Sequence, residues 1–189
     1  MYADHVPLLA EHARTPSGFA DIVSFAIATQ NQRFYLVERI MCGLRAGEEM
    51  RQLTRAQQLG IAFVRQHARR FMPSRCVDTN KALRVLLELP QISYVKAGFI
   101  LQMCGYEIAC LDVHNCRAAG INAKALSRIP ACAELLHARV EMYIMVCHVL
   151  GGAEYLWDSW CGLIATKYPR QFRSADEVSA YHVQCVKGL

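Results

Sequence analysis

The sequence predicts an all-α protein. Apolar residues recur at three- and four-residue intervals along most of the chain. No run shows the sustained apolar/polar alternation of a half-buried strand, and helix-stopping residues such as Pro73, Pro90, Gly105 and Gly151 fall between the periodic segments. With 189 residues, 53% of them hydrophobic and 20% charged, the chain has the material for one domain, or two closely packed lobes sharing a core. That composition excludes a disordered chain.

A polar, proline-containing start comes first. "SGFADIVSFAIATQNQRFYLVERIMCGLRAG" then reads as one or two helices whose wide apolar face carries Phe19, Ile22, Val23, Phe25, Ala26 and Ile27, with a break near residues 29–32. "LTRAQQLGIAFVRQHARRFM" opens on Thr54 with Gln57 three positions on, a capping box, and ends before Pro73. "DTNKALRVLLEL" sets Ala82, Leu83, Leu86 and Leu87 on one face and stops at Pro90. Helix resumes at Ser93 and runs to Gly105, and Asp112 stands where an N-cap for "VHNCRAAG" belongs. A short helix at 123–128, a long one at 131–150 closed by Gly151 and Gly152, a further one through "AEYLWDSWCGLIATKY", and a last one opening on the Ser174/Glu177 capping box complete the chain.

The formal net charge is +5, and the excess is uneven, since "RQHARRFMPSR" carries Arg65, Arg69, Arg70 and Arg75. Such a cluster suits a polyanion and equally suits a solvated helix face. The nine cysteines form no CxxC pair, so they read as reduced, mostly buried thiols of a cytoplasmic protein rather than as metal or iron–sulfur ligands. No signal peptide fits "MYADHVPLLAEHAR", and no apolar run reaches the roughly 20 residues of a membrane helix. The chain therefore reads as soluble and intracellular.

Leu89-Pro90-Gln91-Ile92, then Ala97, Leu101 and Gly105, then Leu111-Asp112-Val113-His114 with Arg117 following, stand in the order L-P-x-[IV], A, L, G, [VL]-D-x-H. Upstream, Phe19 and Gln30 bracket an apolar helix. Together these segments resemble the helix-hairpin-helix superfamily of DNA glycosylases, over about residues 17–120. The resemblance implies a two-lobed helical fold in a single domain. The hairpin lies at about 78–105, the C-terminal helices at about 131–189, and a pocket between the lobes carries Asp112 at its mouth.

It also implies double-stranded DNA as the partner. A base held in a duplex must be rotated out before chemistry can reach it. A carboxylate beside the sugar then stabilises the positive charge that develops as the glycosidic bond breaks, and orients the attacking water. Asp112 takes that role in the resemblance; a plain N-cap is the competing reading of the same residue. Gln30, with Asn31 and Gln32, falls where the family contacts the gap in the duplex, although a helix-break cap explains it equally. Gln91, Ser93, Lys96, His114, Arg117, Arg69 and Arg70 are the further DNA-contact candidates.

Three departures shape the expectation. The family's G-x-G hairpin is here Gln91-Ile92-Ser93, which weakens the backbone grip on a phosphate and any cation bound there. The slot of the Schiff-base lysine holds Val95, with Lys96 turned by about 100° around the helix. That favours a monofunctional, water-using glycosylase over a lyase, with Lys96 on a phosphate or laid along Phe99 and Ile100 at the surface. Finally, no iron–sulfur cysteine loop follows, so no cofactor is expected. Tyr155, Trp157 and Trp160 read as core aromatics and His137 and His148 as satisfied core histidines. Two other functions fit the same pattern. One is a phage enzyme that alters the substituent of a hypermodified thymine on a glycosylase-like fold; the other is a non-catalytic DNA-binding or virion protein.

Overall fold

A computed structural model of the chain describes residues 1–30, 32–48, 50–73, 78–122 and 129–188. The protein is all-α: helices α1 (Tyr2–His12), α2 (Pro16–Ala28), α3 (Val37–Arg45), α4 (Arg55–Phe71), α5 (Thr79–Leu86), α6 (Tyr94–Met103), α7 (Val113–Ala118), α8 (Ala133–Val149), α9 (Gly152–Lys167) and α10 (Ala175–Lys187) are joined by turns, with a 3₁₀ turn at Phe34–Leu36. No strand occurs among the described residues. None of their helices is long and apolar enough to cross a membrane. The helix expected at 123–128, Arg75 of the basic cluster, Asn31 and Cys76 lie outside the described residues.

The centre of the molecule is α2. Its residues from Ile22 to Ala28 are all buried, and it packs against α3, α4, α6 and α10, which is why its sequence is apolar on nearly every side. Thr15 caps it through its hydroxyl, accepting from the Gly18 amide at 3.0 Å, with Pro16 at the first helical position. The capping box at α4 forms both ways, Gln57 N–H to Thr54 Oγ1 and Thr54 N–H to Gln57 Oε1. At α10 the box is opened by one residue: Ser174 accepts from the Glu177 amide, while Glu177 reaches back to the Arg173 amide instead.

The N-terminal segment departs from the sequence expectation. It forms α1 with Pro7 inside it, and buries Val6 and Leu9 against the core. Proline forgoes one backbone hydrogen bond here, and the burial of that apolar face offsets the loss. His137 and His148 are likewise not core histidines. They lie on the exposed side of α8, His137 pairing with Glu141 at 3.2 Å. The buried histidine is His182, on α10.

Candidate functional site

Asp112 owes its position to the segment between α6 and α7. Helix α6 ends in a Schellman motif, with Gly105 at φ +82°, the Tyr106 amide bonded to Leu101 O and the Gly105 amide to Gln102 O. The chain then runs through the interior, where Ile108, Ala109 and Leu111 are fully buried. Backbone groups so buried need partners, and side chains supply them. Tyr143 Oη donates to Ala109 O at 2.9 Å and accepts from the Leu111 amide at 3.0 Å. Gln102 Oε1 accepts from the Cys110 amide while its Nε2 donates to Ala153 O, and Asn115 Nδ2 donates to Cys110 O. The close approach requires Gly98, because a Cβ there would stand 2.5 Å from Ala109 O and 2.6 Å from Tyr143 Oη.

This strut delivers the Asp112 carboxylate to a cavity of about 210 Å³. Oδ1 accepts from the amides of His114 and Asn115 at 2.9 and 2.8 Å, and Oδ2 accepts from the Trp160 indole Nε1 at 3.1 Å. A carboxylate offers roughly four acceptor positions, so three are taken. Asp112 is therefore an N-cap and a cavity group at once. Rings of Phe34, Phe99, Trp157, Trp160 and Tyr168 make much of the wall, and Thr29, Gln32, Lys96, Gln102, His114 and Lys167 add polar groups.

Lys96 is in the same cavity, contrary to the expectation that its one-residue offset would turn it away. Val95 and Lys96 both line the wall: the cavity spans two neighbouring directions on α6, and the four-carbon stem covers the difference. Its Nζ donates to Thr29 Oγ1 at 2.8 Å and stands 5.7 Å from the centre of the Phe99 ring. Burial pushes the Lys96 pKa below the ordinary lysine value, with Cys110 and Asp112 pulling the other way. Burial, chiefly, and Asp112 push the Cys110 thiol well up, so this cavity cysteine is held protonated and is a poor nucleophile.

Gln30, Gln91, Ser93 and Arg70 gather instead about the turn between α5 and α6. Gln30 Nε2 donates to Gln91 O at 2.8 Å, tying the end of α2 to the turn between α5 and α6. Gln91 has φ +66°, the left-handed conformation glycine favours. Ser93 stands at the N-cap of α6 without a side-chain capping bond. Arg69 and Arg70 are exposed in the last turn of α4, Arg70 lying 3.7 Å from Glu88 and so beside the same turn. Arg65 instead donates to Leu44 O. Arg117 is exposed on α7 and does not line the cavity.

Sequence reasoning missed Trp160 as the partner of Asp112, Phe34 and Tyr168 as cavity walls, and Tyr143 and Gln102 as supports. Of the aromatics expected in the core, Trp157 is buried, Trp160 is half-buried at the cavity and Tyr155 is exposed. Among the described residues no group of three or more His, Cys, Asp or Glu is arranged to hold a metal. No family model, curated protein or solved structure matches the chain.

Proposed function

We propose that the protein is a DNA base-flipping enzyme with a two-lobed, helix-hairpin-helix glycosylase-like fold, and that it excises a damaged or modified base by water attack assisted by Asp112. The observation that carries this reading is the carboxylate held by three donors on the wall of an aromatic cavity. Its volume of about 210 Å³ is below the roughly 300–1,000 Å³ of pockets for drug-sized ligands and suits a single ring system. The left-handed backbone of Gln91 and the open first turn of α6 after Ser93 support the hairpin reading, because uncapped helix-start amides attract a phosphate.

In this reading the extruded base lies among the rings while Asp112 faces the sugar. Its remaining acceptor position orients a water toward the anomeric carbon, and the carboxylate offsets the positive charge gained as the carbon–nitrogen bond breaks. Lys96 favours a second reading as well. An amine with lowered pKa beside the bound base is suited to attack the exocyclic carbon of a modified base, a C–N bond forming as that carbon's leaving group departs and the glycosidic bond stays intact.

Incubation with DNAs carrying varied modified bases, followed by mass spectrometry of released bases and of the nucleosides left in the strand, tests both. Excision gives free base and abasic sites, and Asp112→Asn lowers the rate by about a hundredfold or more. Altered nucleosides without free base, together with a covalent protein–DNA adduct that Lys96→Met abolishes, replace excision with the second reading. Unchanged DNA throughout leaves only a binding scaffold.

A further inference from the structure

The cavity does not end at its own wall. A wider, more open groove of about 670 Å³ shares Lys167 and Tyr168 with it and continues past Tyr35, Pro169, Arg170 and Gln171. Its floor is the turn after α9, held by the Gln171 and Phe172 amides on Tyr168 O. Tyr35 is 45% exposed although it follows the buried Phe34. The phenol is not adrift: Arg33 Nη1 donates to its oxygen at 3.0 Å, and that bond, with the Tyr168 phenol nearby, raises the Arg33 guanidinium pKa. Lys167 Nζ lies 5.6 Å from the centre of the Tyr168 ring. Two phenol rings thus stand with three exposed cations, Arg33, Lys167 and Arg170, and among the described residues no carboxylate lines the groove.

We infer that this groove binds the nucleotides flanking the extruded one, their bases stacked on Tyr35 and Tyr168 and their phosphates met by Lys167, Arg170 and Arg33. The inference rests on the base-flipping reading, and deepens it by assigning contacts outside the hairpin. A strand that delivers one base into the cavity must leave along the adjoining surface; this groove shares Lys167 and Tyr168 with the cavity, whereas the groove at Leu150 and Tyr155 shares Leu156 alone and, among the described residues, is lined by no cation. Its chemistry is that of a single-strand track: aromatic faces accept any base, and cations follow the backbone. The charge is complementary to DNA, whereas two tyrosines bonded or stacked to cations make a poor seat for an apolar protein face.

Fluorescence anisotropy on the full chain tests it, using a labelled duplex with a central abasic site whose 3′ and 5′ neighbours are 2-aminopurine in separate substrates. Tyr35 and Arg170 are exposed, and circular dichroism confirms that each variant folds. Tyr35→Ala is expected to weaken binding by about five- to a hundredfold and to abolish the quenching of one neighbouring 2-aminopurine, while Tyr35→Phe keeps both the affinity and the quenching. Arg170→Ala is expected to lower the slope of log Kd against log salt by about one. Wild-type binding that Tyr35→Ala leaves untouched, quenching included, overturns the groove and leaves base flipping standing. Absence of wild-type binding at low salt overturns both.

Discussion

At the scale of single residues, the proposed excision turns on how Asp112 is held. Two of its three donors are backbone amides that no substitution of their side chains removes; the third is the indole of Trp160. Phe34, Phe99 and His182 pack around the Trp160 ring, so Trp160→Phe keeps an aromatic group in place and deletes the donor. A hydrogen bond to a charged group contributes about 1.5–3 kcal/mol, and without it the carboxylate turns more freely. Single-turnover excision by Trp160→Phe is therefore expected to fall by about tenfold or more with DNA affinity unchanged, and combination with Asp112→Asn is expected to cost nothing further. Additive losses in the double variant would mean that the two residues act independently.

Among the elements, the turn from α5 to α6 and the strut from α6 to α7 do the positioning, and they were unequally legible. Gly105 and Asp112 announce a stop and a start through backbone rules that act locally, and the structure places both as read, whereas the stop expected at Pro90 comes early, α5 closing at Leu86 with Leu87 as its C-cap. The buried run at 108–111 announces nothing, because its hydrogen bonds come from Gln102 on one helix and Tyr143 on another, far along the chain. Lys96 shows the same limit: helical period gives its direction to within a sector, whereas the width of the cavity decides whether it enters. Helix α1 was obscured by Pro7, a local signal that tertiary burial overrode.

Gly98 was equally silent as a helical residue, and its role is the close crossing of α6 under the strut. Gly98→Ala improves the intrinsic helix propensity by about 1 kcal/mol, yet its methyl group collides with a backbone oxygen and a buried phenol. The net change is expected to be a loss of about 2–4 kcal/mol in denaturant unfolding. Trp160 fluorescence is expected to shift as Asp112 is displaced. A stabilised variant would show the crossing to be looser than these distances imply.

On the scale of the whole molecule, His182 joins the parts that enclose the cavity. Helix α10 packs on α1, α2, α3 and α9, and the His182 ring touches Phe25, Phe34, Phe99, Trp157 and Trp160. The last four of these also line the cavity. Its Nδ1 bonds to Val178 O, whereas Nε2 is buried without a partner among the described residues. Burial lowers its pKa from 6.5 to about 4, the Val178 bond opposing and His5 adding a little in the same direction. Between those values the unfolded chain binds a proton that the folded protein excludes. Stability is thus complete above pH 6.5, falls as the pH drops from 6.5 toward 4, and levels off below. A shift of that size corresponds to about 3 kcal/mol across the window. Urea titrations of the wild type from pH 7 to 4 are expected to show this decline superimposed on that of the carboxylates, and His182→Phe, which keeps a ring in the cluster, is expected to remove it. If the variant and the wild type lose stability in parallel over this range, His182 is not excluded from protonation in the folded state, and the aromatic cluster admits water to the ring.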